Sequence, residues 1–154
     1  MRSRAKSGRV LGQWHAANNV DSRASLGRLP NGKYPVLDQN SPHMHGRAVD
    51  THDSYKQDSD NGEYGAGGIF RLQPFKGRDG KMHYGVGIHA GRKDTPDAAG
   101  RKGPDHATEG CIRTCDVAIK KITDTAKTDP LTTITVQNNL QPPLVLLPKK
   151  ERPQ

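Results

Sequence analysis

Only two cysteines occur in this 154-residue chain. Two cannot build a disulfide framework, and at positions 111 and 115, in "CIRTC", they are poorly placed to bridge each other. Aromatic residues are scarce at 5%, and hydrophobic residues make up 31%, which argues against a helical bundle with a large core. The few aromatics, and basic residues scattered rather than gathered into one helical stripe, also argue against nucleic acid as a partner. No apolar run approaches the roughly 20 residues of a membrane-spanning helix. The opening "MRSRAKSGRVLGQW" is basic but lacks the apolar core of a secretory signal, so the chain is expected to be mature or leaderless.

Glycine and proline are abundant instead, with 17 and 11 residues. That composition predicts one mostly-β domain with many turns and a modest core. The net charge of +8 either serves solubility or implies an anionic partner such as a membrane surface or a bacterial wall polymer.

Residues 1–8 read as a loose basic arm, 9–140 as a single domain, and 141–154 ("QPPLVLLPKKERPQ") as a proline-rich tail. "RVLGQWHAA" (9–17) and "KYPVL" (33–37) are expected to be strands. A long polar stretch follows at 38–65, a length that in a compact domain points to a functional loop, here expected to cover the groove beside His83 and His89. "GGIFRLQPF" (67–75) and "KMHYGVGIHAG" (81–91) predict a hairpin closed by a turn at Asp79-Gly80. Alternation puts Met82, Tyr84, Val86, Ile88 and Ala90 on a core face. His83, Gly85, Gly87 and His89 then form a nearly bare face on which an extended ligand can lie close to the backbone. "CDVAIKKITDTAKT" predicts the one clear helix, with Thr114 as N-cap, Asp116 in its first turn, and Val117, Ile119 and Ile122 as apolar positions. Asp129-Pro130 stops it, and "LTTITVQ" (131–137) predicts a last strand.

Cys111, in "TEGCIR" just ahead of that helix, is the residue with the most chemistry. A free thiol with pKa about 8.5 is only a few per cent ionised at neutral pH. Gly110 allows a tight turn, the helix N-terminus and Arg113 supply positive potential, and together these are expected to lower the thiol pKa. His89 would take the thiol proton and return one to a leaving amine. Backbone N–H groups around Gly110 and Cys111 would form an oxyanion hole. Taken singly, a cysteine is more often a small buried hydrophobe and a strand histidine a solvated side chain; the pairing carries the functional reading.

"IHAG" followed by "ATEGCIR" resembles the signature of the L,D-transpeptidase (YkuD-type) family: a histidine, a loop, then Ser/Thr-His-Gly-Cys, an apolar residue and Arg or Asn. His89, Thr108, Gly110, Cys111, Ile112 and Arg113 match; Glu109 replaces the second histidine, and 18 residues separate His89 from Thr108. The resemblance is specific over about residues 67–122, and looser for "GQWHAANN" and "LPNGKYPV". It implies a mostly-β sandwich or barrel and a cysteine enzyme of bacterial peptidoglycan. Cys111 would attack the carbonyl between the diamino acid and the terminal D-alanine of a stem tetrapeptide. The acyl-enzyme would pass to an amine, to water or to a D-amino acid, and carbapenems would acylate the same cysteine. His89 would be the base and acid, Gly110 part of the catalytic turn, and Arg113 would hold a carboxylate or shape the pocket. His83, Gly85, Gly87, Thr108, His106 and Glu109 would line the substrate site, with His106 or Glu109 orienting the catalytic pair. No cofactor or metal is implied. A leaderless member would resemble effectors injected into a rival's periplasm, with an immunity protein as a further partner.

Two other readings stand beside it. "SPHMHGRAVD" matches the Ser-x-His-x-x-Gly-x-Ala-x-Asp pattern of zinc D,D-peptidases, with His43 and Asp50 as ligands, although that family's downstream Trp-His element is absent. A catalytically silent peptidoglycan-binding module on the same fold is the second.

Overall fold

The computed structural model describes residues 1–21, 24, 26–45 and 57–139. Among these, nine short strands form four small sheets around one α-helix. The described residues are mostly β with a single α-helix, as the composition suggests, and none of their sheets closes into a barrel.

The amino terminus corrects the expectation of a loose arm. β1 (Arg2–Arg4) pairs antiparallel with β2 (Val10–Gln13), matching Arg2 to Gln13 and Ser3 to Gly12. The Ala5 N–H donates to the Arg9 carbonyl at 2.8 Å to close the turn, and the terminal ammonium donates to the Trp14 carbonyl at 2.8 Å. Next, β3 (Gly32–Pro35) pairs antiparallel with the last strand, Thr133–Val136. Tyr34 and Val136 face inward while Lys33, Pro35, Thr133 and Thr135 stay exposed, the alternation of a sheet with one wet face.

The central sheet positions the site. β4 (Phe70–Arg71) runs antiparallel to β7 (Gly87–His89), and β7 runs parallel to β8 (Ile112–Arg113). Between β4 and β7 the chain makes the expected hairpin, β5 (Phe75–Lys76) against β6 (Met82–His83). Its turn has Gly80 at φ 76°, the left-handed conformation that an Asp-Gly pair accommodates.

The alternation expected along 82–90 does not run through. Met82 and Tyr84 are 50% and 71% exposed, whereas Val86, Ile88 and Ala90 are buried. The break falls at Gly85, whose φ of 70° leaves the extended region and resets the facing of the side chains beyond it.

Helix α1 (Asp116–Ala126) buries Ala118, Ile119, Ile122 and Ala126 against Phe70, Ile88 and Ala90, and leaves Val117 exposed. Burial of Ile119 and Ile122 contributes about 1.5–3 kcal/mol each. Cys115, not Thr114, is the N-cap, and it makes no side-chain cap bond. Thr114 is committed elsewhere: its N–H donates to the His89 carbonyl and its hydroxyl to the His15 carbonyl, both at 2.8 Å. A second cluster of Leu26, Leu29, Tyr34, Val36, Leu72, Val86 and Val136 lies under the other strands, and Ile112 touches both. The tail from 141 lies outside the described residues.

Candidate active site

Strand register brings the histidine and cysteine together. Ile88 pairs with Ile112 and His89 with Arg113, so Cys111 falls opposite Gly87. Side chains two residues apart on a strand share a face. His89 and Cys111 therefore project from the same face of adjacent parallel strands, one diagonal step apart, with no hydrogen bond joining them in this resting arrangement.

The two glycines on this face differ. A Cβ on Gly87 would stand 2.1 Å from the Phe70 carbonyl oxygen, so this glycine is required by the neighbouring strand rather than by a ligand. Gly85 is exposed, with its carbonyl 3.7 Å from the Cys111 sulfur. A Cβ there would meet no described atom within 4 Å. Open ground thus lies beside the thiol at Gly85 alone.

Two side chains, Thr108 and Asn18, hold the turn carrying the thiol. Gly110 adopts φ 141°, a conformation that L side chains rarely take. The Thr108 hydroxyl donates to the Cys111 carbonyl at 2.7 Å and accepts the Gly110 N–H at 3.2 Å. Asn18 Nδ2 donates to the Gly110 and Cys111 carbonyls at 2.8 and 2.9 Å, while its Oδ1 accepts the Leu29 N–H at 2.7 Å. Two expectations change. Thr108 braces the turn from a buried position rather than lining a substrate site. The Gly110 N–H is taken by Thr108, which leaves the Cys111 N–H as the turn's unpartnered donor among the described residues.

His89 is fully buried. Its Nδ1 lies 2.7 Å from the Ala90 carbonyl oxygen, which can only accept, so Nδ1 carries the proton and Nε2 is the basic nitrogen. Nε2 is buried with no hydrogen-bond partner among the described residues. Burial first, then the Arg113 charge, push the imidazole pKa down to about 4. A ring of aromatics backs it: Tyr64 stands edge-on to His89 at 5.1 Å and 72°, and stacks on His45 at 3.8 Å and 5°. His45 is fixed in turn by Asp58, through its backbone N–H and through Nδ1 at 3.3 Å.

The thiol behaves opposite to expectation. Burial pushes the Cys111 pKa up to about 11, despite a Gly87 N–H bond and the Arg113 charge; Glu63 and Glu109 add to the rise. Strand β8 and the two residues after it separate the thiol from the start of α1, so the helix dipole, which fades within its first turn, does not reach it. The resting pair is a neutral thiol and a neutral imidazole. That arrangement suits general-base activation during attack, not a preformed ion pair.

Arg113 is also reassigned. It is fully buried and its fork is filled: Nε donates to the Ala90 carbonyl at 3.1 Å, and Nη1 to the His106 and Ala107 carbonyls at 3.2 Å each. Nη2 takes the Glu63 carbonyl at 2.9 Å and its Oε1 at 3.1 Å. No donor is left for a substrate carboxylate, so Arg113 ties three loops together behind His89. His106 meets that guanidinium through Nδ1 at 2.8 Å, and Glu109 is exposed; neither bonds His89. The groups that orient the imidazole are the Ala90 carbonyl and the Tyr64 ring, both missed from sequence. His83 lies outside the site, held by Asp79 Oδ1 and Oδ2 at 2.9 and 3.0 Å and tilted over Phe75.

In the long 38–65 stretch, His43 bridges to Ile69 and Asp38 pairs with Arg71 at 2.8 Å. Residues 46–56, including Asp50, and with them the suggested covering role of that loop, lie outside the described residues. Among the described residues no cluster of three or more His, Cys, Asp or Glu is placed to hold a metal, and no helix is long and apolar enough to cross a membrane. Comparison with protein-family models, curated proteins and solved structures finds no match to this chain.

Proposed function

We propose that this protein is a cysteine acyl-transfer enzyme with Cys111 as nucleophile and His89 as base, and within that class an L,D-transpeptidase or L,D-carboxypeptidase of peptidoglycan stem tetrapeptides. The observation that carries the first step is the buried, unpartnered Nε2 of His89 on the same strand face as Cys111. A basic nitrogen stripped of partners costs about 1–3 kcal/mol; its lone pair has no competing donor among the described residues, and its low pKa favours passing a proton on to the leaving amine. The second step rests on the "IHAG…ATEGCIR" signature. In the reaction, the thiol proton passes to Nε2 as the sulfur–carbon bond forms and the carbonyl becomes an oxyanion. Collapse breaks the carbon–nitrogen bond, and the imidazolium proton leaves with the D-alanine amine. An amine or water then takes the acyl group by the reverse sequence.

The site of action proposed is the periplasm or cell wall, where a charge of +8 suits an anionic wall polymer. Delivery as an antibacterial effector, with an immunity protein as partner, belongs to the same proposal; a Cys111-dependent growth defect on periplasmic targeting would support it. The decisive experiment is mass spectrometry of disaccharide-tetrapeptides incubated with the protein and with Cys111→Ala. Loss of D-alanine that disappears in the variant is expected. Turnover that survives the substitution and yields to a chelator would instead favour the His43/Asp50 zinc reading, and no turnover in either sample the binding module.

A further inference from the structure

A cleft of about 480 Å³ opens between the amino-terminal hairpin, the end of α1 and the last strand, β9 (Thr133–Val136), a size usual for binding clefts. Neither Cys111 nor His89 lines it. Ile122 and Leu131 give it apolar wall, Ser3 and Thr133 add hydroxyls, and Arg4 and Lys6 add cations.

The strand at this cleft has an open edge. Along an antiparallel pair, residues alternate between bonding the partner and pointing their N–H and C=O groups away from it. The Val36 N–H donates to the Thr132 carbonyl at 3.0 Å. With Tyr34 opposite Ile134 and Gly32 opposite Val136, that bond assigns the ladder to Ile134 and Val136. The N–H and C=O groups of Thr133 and Thr135 therefore point away from β3, with no hydrogen-bond partner among the described residues. The far edge of β3, in contrast, is covered: the Pro35 carbonyl accepts the Gln73 N–H at 2.9 Å. An open edge is a template on which an extended peptide adds as a further strand.

Charge selects the peptide. Arg71, Arg101 and Lys120 are each matched by a carboxylate, of Asp38, Asp97 and Asp124. The Arg4 guanidinium and the Lys6 ammonium have no such partner among the described residues, and Arg4 commits only Nη1, to the Gly8 carbonyl at 3.1 Å. The one carboxylate bordering the cleft, Asp129, accepts the Lys6 backbone N–H at 2.9 Å. A second copy of a chain of charge +8 is a poor occupant for a cationic rim.

We propose that the open edge of β9 takes an extended acidic segment of a partner protein as an added strand. The backbone groups of Thr133 and Thr135 hydrogen-bond it, Ile122 and Leu131 receive its apolar side chains, and Arg4 and Lys6 pair with its carboxylates. The interface stands apart from the chemistry at Cys111 and from the peptidoglycan reading.

The probe is a fluorescein-labelled peptide of alternating Glu and Val, set against the same peptide N-methylated along one edge and against a Lys-Val counterpart. Affinity is read by fluorescence anisotropy, and the place of binding by hydrogen exchange at the Thr133 and Thr135 amides. The Glu-Val peptide should bind and slow exchange at both amides. N-methylation, which keeps the charges and removes edge hydrogen bonds, should weaken it at least about tenfold. Arg4→Glu with Lys6→Glu should reverse the preference towards the Lys-Val peptide. Equal binding of the N-methylated peptide would leave only a general polyanion surface and overturn the proposal, as would equal binding of the Lys-Val peptide or no binding at all. Amides already protected in the free protein would mean that the chain itself or a second copy covers the edge, which overturns it as well.

Discussion

His83 and His89 lie six positions apart on what reads as one strand, and the structure treats them in opposite ways. His83 sits at the end of the outer hairpin with its imidazole closed on Asp79. His89 ends the central strand, fully buried, with one nitrogen fixed by Ala90 and the other unpartnered among the described residues. Gly85 separates them, and its left-handed φ turns one ribbon into two pieces with different neighbours. A buried imidazole that the backbone satisfies only by half keeps a lone pair available; one with a carboxylate at hand does not.

The largest expected difference is catalytic. His89→Gln should lower tetrapeptide turnover about 10²–10⁴-fold, the usual worth of general acid–base catalysis, while His83→Gln should leave it within about threefold, because the His83 imidazole is closed on Asp79 away from the thiol. Comparable losses in the two variants would erase the distinction. Next in size is the support behind His89. Arg113→Met leaves the Ala90, His106, Ala107 and Glu63 carbonyls without this donor, while Glu63 keeps Arg92, and should cost about 2–4 kcal/mol in urea unfolding from unsatisfied buried acceptors; a loss below about 1 kcal/mol would mean that those loops are held by other contacts.

Acid titration sharpens the contrast further. The folded His89 imidazole takes a proton only near pH 4, against an ordinary 6.5. Between those values the unfolded chain binds the extra proton, so stability present above pH 6.5 is lost as pH falls towards 4, by about 3 kcal/mol at 1.36 kcal/mol per unit. Unfolding midpoints at pH 7 and 4.5 should show this drop in the parent and not in His89→Gln; equal drops would refute it. The smallest effect concerns the resting thiol. With its pKa near 11, Cys111 alkylation in the absence of substrate should keep rising with pH through the range where an ordinary thiol, near about 8.5, has levelled off. A plateau at neutral pH would mean a preformed thiolate.

Local patterns carried much of the fold into view. The Asp79-Gly80 turn, the alternation of Thr133–Val136 and the Ile119/Ile122 spacing of α1 depend on neighbours a few residues away, and all were legible. The bend at Gly85 was not, since a glycine permits a positive φ without requiring one. The resemblance singled out His89 and Cys111, but their surroundings depend on long-range packing. Asn18 grips carbonyls 92 and 93 positions away, and Tyr64 reaches His89 only through tertiary contact. Arg113 reads as a free fork until the loops that fill it are placed, and a thiol that looks activated by its sequence neighbours is governed by burial. The basic residues at 2–4 concealed a strand whose partner, residues 10–13, gives it a reason to be ordered.

The parallel pairing of β7 with β8 has one more consequence. Between His89 and Thr108 the chain makes a long excursion, closed at its base where the Gly103 N–H donates to the Arg92 carbonyl at 2.7 Å. Beyond that closure Thr95 and Pro96 are exposed. Lengthening such a loop costs only about 0.6 kcal/mol per doubling, while the strand register keeps the imidazole and the thiol where they are. Distance along the chain is therefore uncoupled from distance in space at this site: the excursion is a natural insertion point, able to accept a tag or a whole added module without moving the imidazole or the thiol.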